Sequence, residues 1–270
     1  MTSSASRADQ PTVADTTAWW STSVTRIAPG EIELRGYPIE QVIGNVGFVS
    51  TIWLLTTGSL PSATVSNLLE ATLVASVDHG PQAPSIASAR MAATCGVGLN
   101  SAVANGVNVL GDTHGGAGQQ CVQLLNDLVE RHETEGVPLD QLAREAIADH
   151  KSRGVFVPGF GHRFHPRDPR RDPLLQLVED ALAAGDISGR HLAAGLAVER
   201  ALERGERRIP MNIDGISAIV YAELGVEPEL ARGLFVLSRS VGILAHAWEE
   251  KQAGQRIKAV SYTHLTLPTN

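Results

Sequence analysis

The sequence is poor in cysteine and in aromatic residues: Cys95 and Cys121 are the only thiols in 270 residues, and Phe, Trp and Tyr together supply 4%. Two thiols set singly in apolar helical patterns exclude a disulfide framework and fit buried residues in a reducing cytosol. No HxxxH or HxH pair occurs and the cysteines lack ligand spacing, so the sequence implies no bound metal. Uninterrupted apolar runs of the ~18 residues that a membrane span needs are missing, the longest candidate being broken by polar positions around Asn45 and Thr51. The opening MTSSASRADQPTVADTT lacks the apolar stretch of a signal peptide, which predicts a cytoplasmic chain with a disordered lead-in over residues 1–18. Basic charge is also scarce: 22 Lys+Arg against 29 Asp+Glu leave a net −7, which speaks against nucleic acid as a partner.

One segment runs against that acidity. RFHPRDPRR holds Arg163, Arg167, Arg170 and Arg171 against a single acid, Asp168. Such a cluster suits a bound anion, or else is a solvated charged loop.

The patterns that are present are almost all helical. STSVTRIAPGEIELRGY alternates around Pro29-Gly30 and reads as a β-hairpin. Pro38 then starts a helix carrying Val42, Ile43, Val46, Val49, Trp53 and Leu54, which Gly58 closes, and Ser62 caps the next. Further helices are predicted near 84–95, 99–110, 115–133, 138–152, 172–184, 189–204, 214–224 and 228–251. The two around Ala87–Cys95 and Ser101–Leu110 are rich in Ala, Gly, Ser and Val, so they belong between close-packed helices or at a subunit interface. The fold class is all-α with a minor hairpin at the front.

Of nine histidines, four sit in Gly- or Pro-rich turns at helix boundaries: His79 in VDHGPQAPS, His114 in GDTHGGAG, and His162 with His165 in GFGHRFHPRDPR. Asp214 in PMNIDGIS is a carboxylate at a helix start. Loops on a rigid scaffold are where catalytic groups gather. Each residue also has a plain structural reading: His79 as a helix C-cap, His114 as a partner for backbone groups, Asp214 as the N-cap of the helix 214–224.

Taken in order, the motifs resemble the citrate synthase superfamily. RGY with the helix that follows and TGSLP (Arg35 to Pro61), DHG (Asp78 to Gly80), HGGA (His114 to Ala117), GFGHR…DPR (Gly159 to Arg170), NID (Asn212 to Asp214) and LSRSVGILAH (Leu237 to His246) with Arg256 beyond it all match, over roughly Trp20 to Lys258. The resemblance implies carbon–carbon bond making or breaking between acetyl-CoA and oxaloacetate, with a coenzyme A thioester as substrate and no tightly bound cofactor. Asp214 matches the carboxylate that exchanges a proton with the acetyl methyl group. His114 matches the group that hydrogen-bonds the thioester oxygen, and His162 the group at the oxaloacetate carbonyl or the citryl hydroxyl. His79, Arg170, Arg239 and Arg256 match positions that hold substrate carboxylates, the last reaching across from a neighbouring subunit and so implying a homodimer. Arg163 and Arg167 suit coenzyme A phosphates.

Only seventeen positions separate Pro61 from Asp78, one helix where full-length citrate synthases carry a longer helical stretch. This abbreviation, with DHGP, NIDG and FVLSRS, resembles the compact citryl-CoA lyase type and the citrate synthase-like module of ATP-citrate lyase. The expected activity is citryl-CoA lyase. The alternatives are a short citrate synthase or 2-methylcitrate synthase and, in another class, a non-catalytic CoA-binding subunit of a larger complex. Gln119-Gln120 stands where the family often has Glu. The expected anatomy is a citrate synthase-like fold with a large domain of 19–113 plus 212–260 and a small CoA-binding domain of 114–211. The uncharged end SYTHLTLPTN is read as a non-native tail over 261–270, which removes His264 from the site.

Overall fold

A computed structural model describes residues 18–163, 165–203 and 208–257, and the chain divides into two compact units, 1–66 and 67–270. The expected lead-in and tail fall almost wholly outside the described residues.

In the first unit, β1 (Thr25–Ala28) and β2 (Glu31–Leu34) form the antiparallel hairpin around Pro29-Gly30, with Ala28 opposite Glu31. A third short strand, β3 (Tyr37–Pro38), pairs on β2. The single helix expected from Pro38 to Gly58 is two: α1 (Ile39–Val42) and α2 (Phe48–Thr57). Gly44 breaks it with φ +81°, a backbone state that cannot continue a right-handed helix. Gly58 does close α2 in the left-handed conformation. Ser62 accepts from the Val65 N–H at 3.2 Å, which caps α3 (Ala63–Ser76), a helix that runs on into the second unit.

The second unit continues with α4 (Pro84–Thr94), α5 (Leu99–Val107), α6 (Ala117–Glu135), α7 (Leu139–Ser152), α8 (Arg171–Ala184), α9 (Arg190–Leu202), α10 (Ile213–Glu223) and α11 (Pro228–Gln252), as the sequence predicts to within a few residues. α4, α5 and α11 pack on one another, and their shared core of Ala83, Ile86, Ala89, Ala93, Ala102, Ile243 and Ala247 is mostly small. At Gly106 a Cβ would lie 2.7 Å from both Ile243 Cγ2 and the Ser85 carbonyl, so the helices approach to backbone contact there. The Ala- and Gly-rich pair therefore meets closely along one face of each helix, while Asn100, Ser101, Ala104 and Asn105 remain exposed. α10 packs on α6 and α9, and α9 on α7.

α11 is apolar overall, although Arg232, Ser238, Arg239 and His246 interrupt it. It has 25 residues and a stretch with mean hydropathy 1.2, long and apolar enough to cross a membrane by length and composition. Here one face of it packs on α4, α5 and α6, with Ala231, Leu234, Ile243 and Ala247 in the core and Arg239 buried.

Candidate active site

The first turn of α10 sets the centre of the site. Asn212 Oδ1 accepts from the backbone N–H of Asp214 at 2.9 Å and of Gly215 at 3.2 Å, which makes Asn212 the N-cap. Asp214, which could itself have capped the helix, is instead released: no hydrogen bond reaches its carboxylate among the described residues. Chain 159–161 is laced to 210–212 through Gly161 N–H to Pro210 O (2.8 Å), Asn212 N–H to Gly159 O (3.0 Å) and Asn212 Nδ2 to Gly161 O (2.6 Å). Gly159 is required here, because a Cβ would fall 2.7 Å from both Cys121 Sγ and Gly215 Cα, at φ +85°.

Asp168 holds the arginine-rich loop to the same place. Its buried carboxylate accepts the Nε and Nη2 donors of Arg170, both at 2.9 Å, and the N–H of Ile213 at 3.1 Å. Burial alone would raise Asp168; the Arg170 fork and backbone donors outweigh it and hold its pKa at about 2. Arg171 is buried, paired with Glu199, and Glu199 Oε1 accepts from the Met211 N–H at 2.8 Å. The basic cluster thus divides. Arg170 and Arg171 tie the loop to α10 and α9, while Arg167 is exposed against Asp172 and Arg163 is exposed.

His114 meets α4 at its first turn. Its Nε2 accepts the backbone N–H of Ser85 at 3.2 Å and is bonded to Ser85 Oγ at 3.0 Å. Because Nε2 is an acceptor, the proton of the neutral ring is assigned to Nδ1. Burial, helped by Arg239, pushes the His114 pKa down and keeps the ring neutral.

The DHG turn follows α3. Asp78 Oδ2 accepts from Gly80 N–H at 3.0 Å, and Oδ1 lies 3.2 Å from His246 Nε2 on α11. Gly242 allows this approach, since a Cβ there would sit 2.4 Å from the Val77 carbonyl. Arg239, one turn from Gly242, is buried; its Nε donates to Ser76 O at 3.0 Å and its guanidinium lies 4.9 Å over the Phe235 ring. Among the described residues no carboxylate pairs with it, and burial lowers its pKa.

Ser76, His79, His114, Gly115, Ile213, Asp214, Phe235 and Arg239 line a half-open cavity of about 100 Å³. Four of the residues singled out in the sequence therefore share one wall: His79, His114, Asp214 and Arg239. His162 stands beside them, its ring 6.0 Å from His79, with Nδ1 accepting from the His165 N–H at 3.1 Å. Burial lowers both His79 and His162, with Arg239 and Arg170 adding to it at His79. Asp214 moves the other way. Burial raises it, against the pull of Arg170 and Arg239.

Two expected residues lie elsewhere. Arg170 has Nε and Nη2 on Asp168 and Nη1 on the Ala75 carbonyl at 3.3 Å, and its charge acts on Asp214 and His79. Arg256 is exposed, and the next residue, Ile257, donates to Thr94 O at the end of α4 opposite Ser85, about 13 Å along the helix. Sequence reasoning missed Ser85, Asn212 and Asp168 as the residues that orient the site. Asn212 carried a signal, an Asn two places before Asp214 at a helix start; Ser85 carried none that pointed to His114.

The family described as "Citrate synthase, C-terminal domain" matches residues 62–259. The chain belongs to the citrate synthase family. Within that family it is 27% identical over 240 residues to ATP-citrate synthase beta chain protein 1 of Oryza sativa subsp. japonica, covering 84% of this chain and 37% of that one. It is 30% identical over 205 residues to citrate synthase of Haloferax volcanii, covering 74% and 51%. The chain thus spans between about a third and a half of these relatives' length. Among solved structures, citryl-CoA lyase from Hydrogenobacter thermophilus superimposes with a TM-score of 0.80 at 27% identity over 93% of this chain and 94% of that one. ATP citrate lyase from Methanothrix soehngenii, in complex with citrate and coenzyme A, shares the fold with a TM-score of 0.75 at 21% identity, covering 97% of this chain and 42% of that one. The mostly helical, citrate synthase-like fold expected from the motifs is the one observed, with a three-stranded sheet in place of the hairpin alone.

Proposed function

We propose that this citrate synthase-family chain is a citryl-CoA lyase, cleaving citryl-CoA to acetyl-CoA and oxaloacetate. The observation that carries the reading is the pairing in one cavity of Asp214, an unbonded carboxylate with raised proton affinity, and His114, a neutral ring with its donor on Nδ1. A structural likeness running over 94% of a citryl-CoA lyase chain supports lyase over synthase.

Cleavage needs a base at the tertiary hydroxyl, a donor at the thioester oxygen and an acid for the new carbanion. His162, kept neutral, takes the hydroxyl proton. The bond between the hydroxyl-bearing carbon and the thioester α-carbon breaks, and its electron pair forms the enolate of acetyl-CoA while the alkoxide becomes the oxaloacetate ketone. Nδ1–H of His114 donates to the enolate oxygen. Protonated Asp214 then delivers its proton to the α-carbon, completing the methyl group. Arg239 and His79 hold substrate carboxylates, with Arg170 adding positive potential, and the exposed Arg163 and Arg167 take coenzyme A phosphates. Closure of residues 114–211 over 19–113 and 212–260 would exclude water, and hydrogen exchange on adding coenzyme A and oxaloacetate would register it.

We also propose that the chain acts as a homodimer. Leu237, Val241, Leu244 and Trp248 form an exposed apolar stripe on α11, each 41–56% accessible, and a second copy would cover it. Arg256, on the far end of α4 from its own cavity, then serves the partner's site.

Purified protein given citryl-CoA releases oxaloacetate on this reading. Robust free thiol release with citrate formed from acetyl-CoA and oxaloacetate would sink it in favour of a citrate synthase, the reading that the Haloferax volcanii relative favours.

A further inference from the structure

Two buried proton-bearing side chains that feel the Asp214 charge have no role in the proposed chemistry: Cys121 (fully buried) and Tyr221 (2% exposed), on the mutually packed α6 and α10. Gly118, one turn before Cys121, is placed so that a Cβ would come 3.9 Å from Asp214 Oδ1, and Cys121 Sγ lies against Gly159 where that glycine also meets Gly215. Tyr221 follows Asp214 by seven positions, two turns along α10, so the two share a face. Helical side chains lean toward the N-terminus, which carries the phenol back along α10 toward the carboxylate. Tyr221 Oη is buried and has no hydrogen-bond partner among the described residues. A phenylalanine would fill the same space without an unpaired hydroxyl, so packing gives no reason for a tyrosine.

We propose that Tyr221, backed by Cys121, is a positioning residue for Asp214, its O–H dipole stabilising the charge that appears on the carboxylate once the proton passes to the enolate carbon. The inference rests on Asp214 being the proton carrier. Tyr221 neither touches substrate nor gives up its own proton. Burial and the Asp214 charge push both the phenol and the Cys121 thiol up, so the two serve as neutral dipoles. The remaining groups that act on Asp214 are Arg170 and Arg239, which lower its proton affinity, and Asp168, which raises it, with His79 and His114 on the cavity wall.

The test is the pH profile of kcat for citryl-CoA cleavage by Tyr221→Phe in the full chain. The limb set by Asp214 moves to higher pH by about half to one unit and kcat at the plateau falls roughly three- to tenfold, with KM unchanged and Tm equal to or above the wild type. A profile superimposable on the wild type overturns the proposal, as does lost activity with a fallen Tm and an unmoved limb. Cys121→Ala shifts the limb in the same direction by less, and decides the matter if Tyr221→Phe does not fold. Asp214→Asn separates the two levels. If it leaves turnover intact, the proton-carrier reading fails; if it abolishes turnover while Tyr221→Phe leaves the profile unmoved, only this inference fails.

Discussion

The backbone N–H of Ser85 donates to Nε2 of His114 at 3.2 Å, and this bond decides which nitrogen of the ring carries its proton. A helix N-terminus has free N–H groups, and here one of them is spent on an imidazole rather than on a cap. The ring stays neutral because a second proton would have to enter at Nε2, against that donor.

Replacing His114 with Ala removes the donor at the developing enolate oxygen and lowers kcat about 10²- to 10³-fold in a citryl-CoA cleavage assay. The pH dependence carries the same assignment. The His114 pKa is depressed, first by burial and then by Arg239, so its contribution persists as pH falls through the usual histidine range near 6.5 and is lost only below it.

Asp168 predicts the acid limit of the fold. Its pKa is about 2, below the ordinary 3.8, so its stabilisation is present above about pH 4 and is lost as pH falls toward 2, about 2 kcal/mol in all. Asp168→Asn abolishes that part of the acid transition and destabilises the protein at neutral pH by about 3–5 kcal/mol, since Arg170 is left without its partner. Denaturant unfolding at a series of pH values measures both.

Asn212→Ala removes the N-cap of α10 and costs about 0.5–2 kcal/mol. It also frees the Gly161 carbonyl, so kcat falls more than stability alone accounts for. Thermal unfolding alongside steady-state kinetics separates the two losses.

Subunit mixing tests Arg256. Asp214→Asn and Arg256→Ala are each expected to be nearly inactive alone. Where Arg256 serves the partner's site, a random mixture of the two regains about a quarter of wild-type activity, because each hybrid dimer has one intact site. No regain on mixing would place Arg256 in its own subunit's site or in none.

The helices of the second unit were legible because apolar period, capping Ser and Pro, and stopping Gly agreed with one another from residue 62 onward. Agreement failed at Gly44, where an unbroken apolar stripe over Val42 to Leu54 hid a left-handed glycine inside it. The hairpin was legible from its turn, but β3 was not, since two residues carry no period. His79, His114 and Asp214 stood out from the composition of their turns and Arg239 from the family resemblance, and all four line the cavity. The roles of Arg163, Arg167, Arg170 and Arg171 did not follow from their cluster, because charge in a loop says nothing about which side chain is buried and which acid takes it.

What the sequence by itself determined was the helical class, the order of the turns that bear His and Asp, and membership of a family. These depend on residue type and spacing along the chain, which is local information. Tertiary structure alone decided that Asn212 caps α10 and leaves Asp214 unbonded, that Ser85 sets the tautomer of His114, and that Arg170 is held by Asp168. Each of these is a competition for one donor or acceptor among groups far apart in sequence, and only packing determines which of them come within reach.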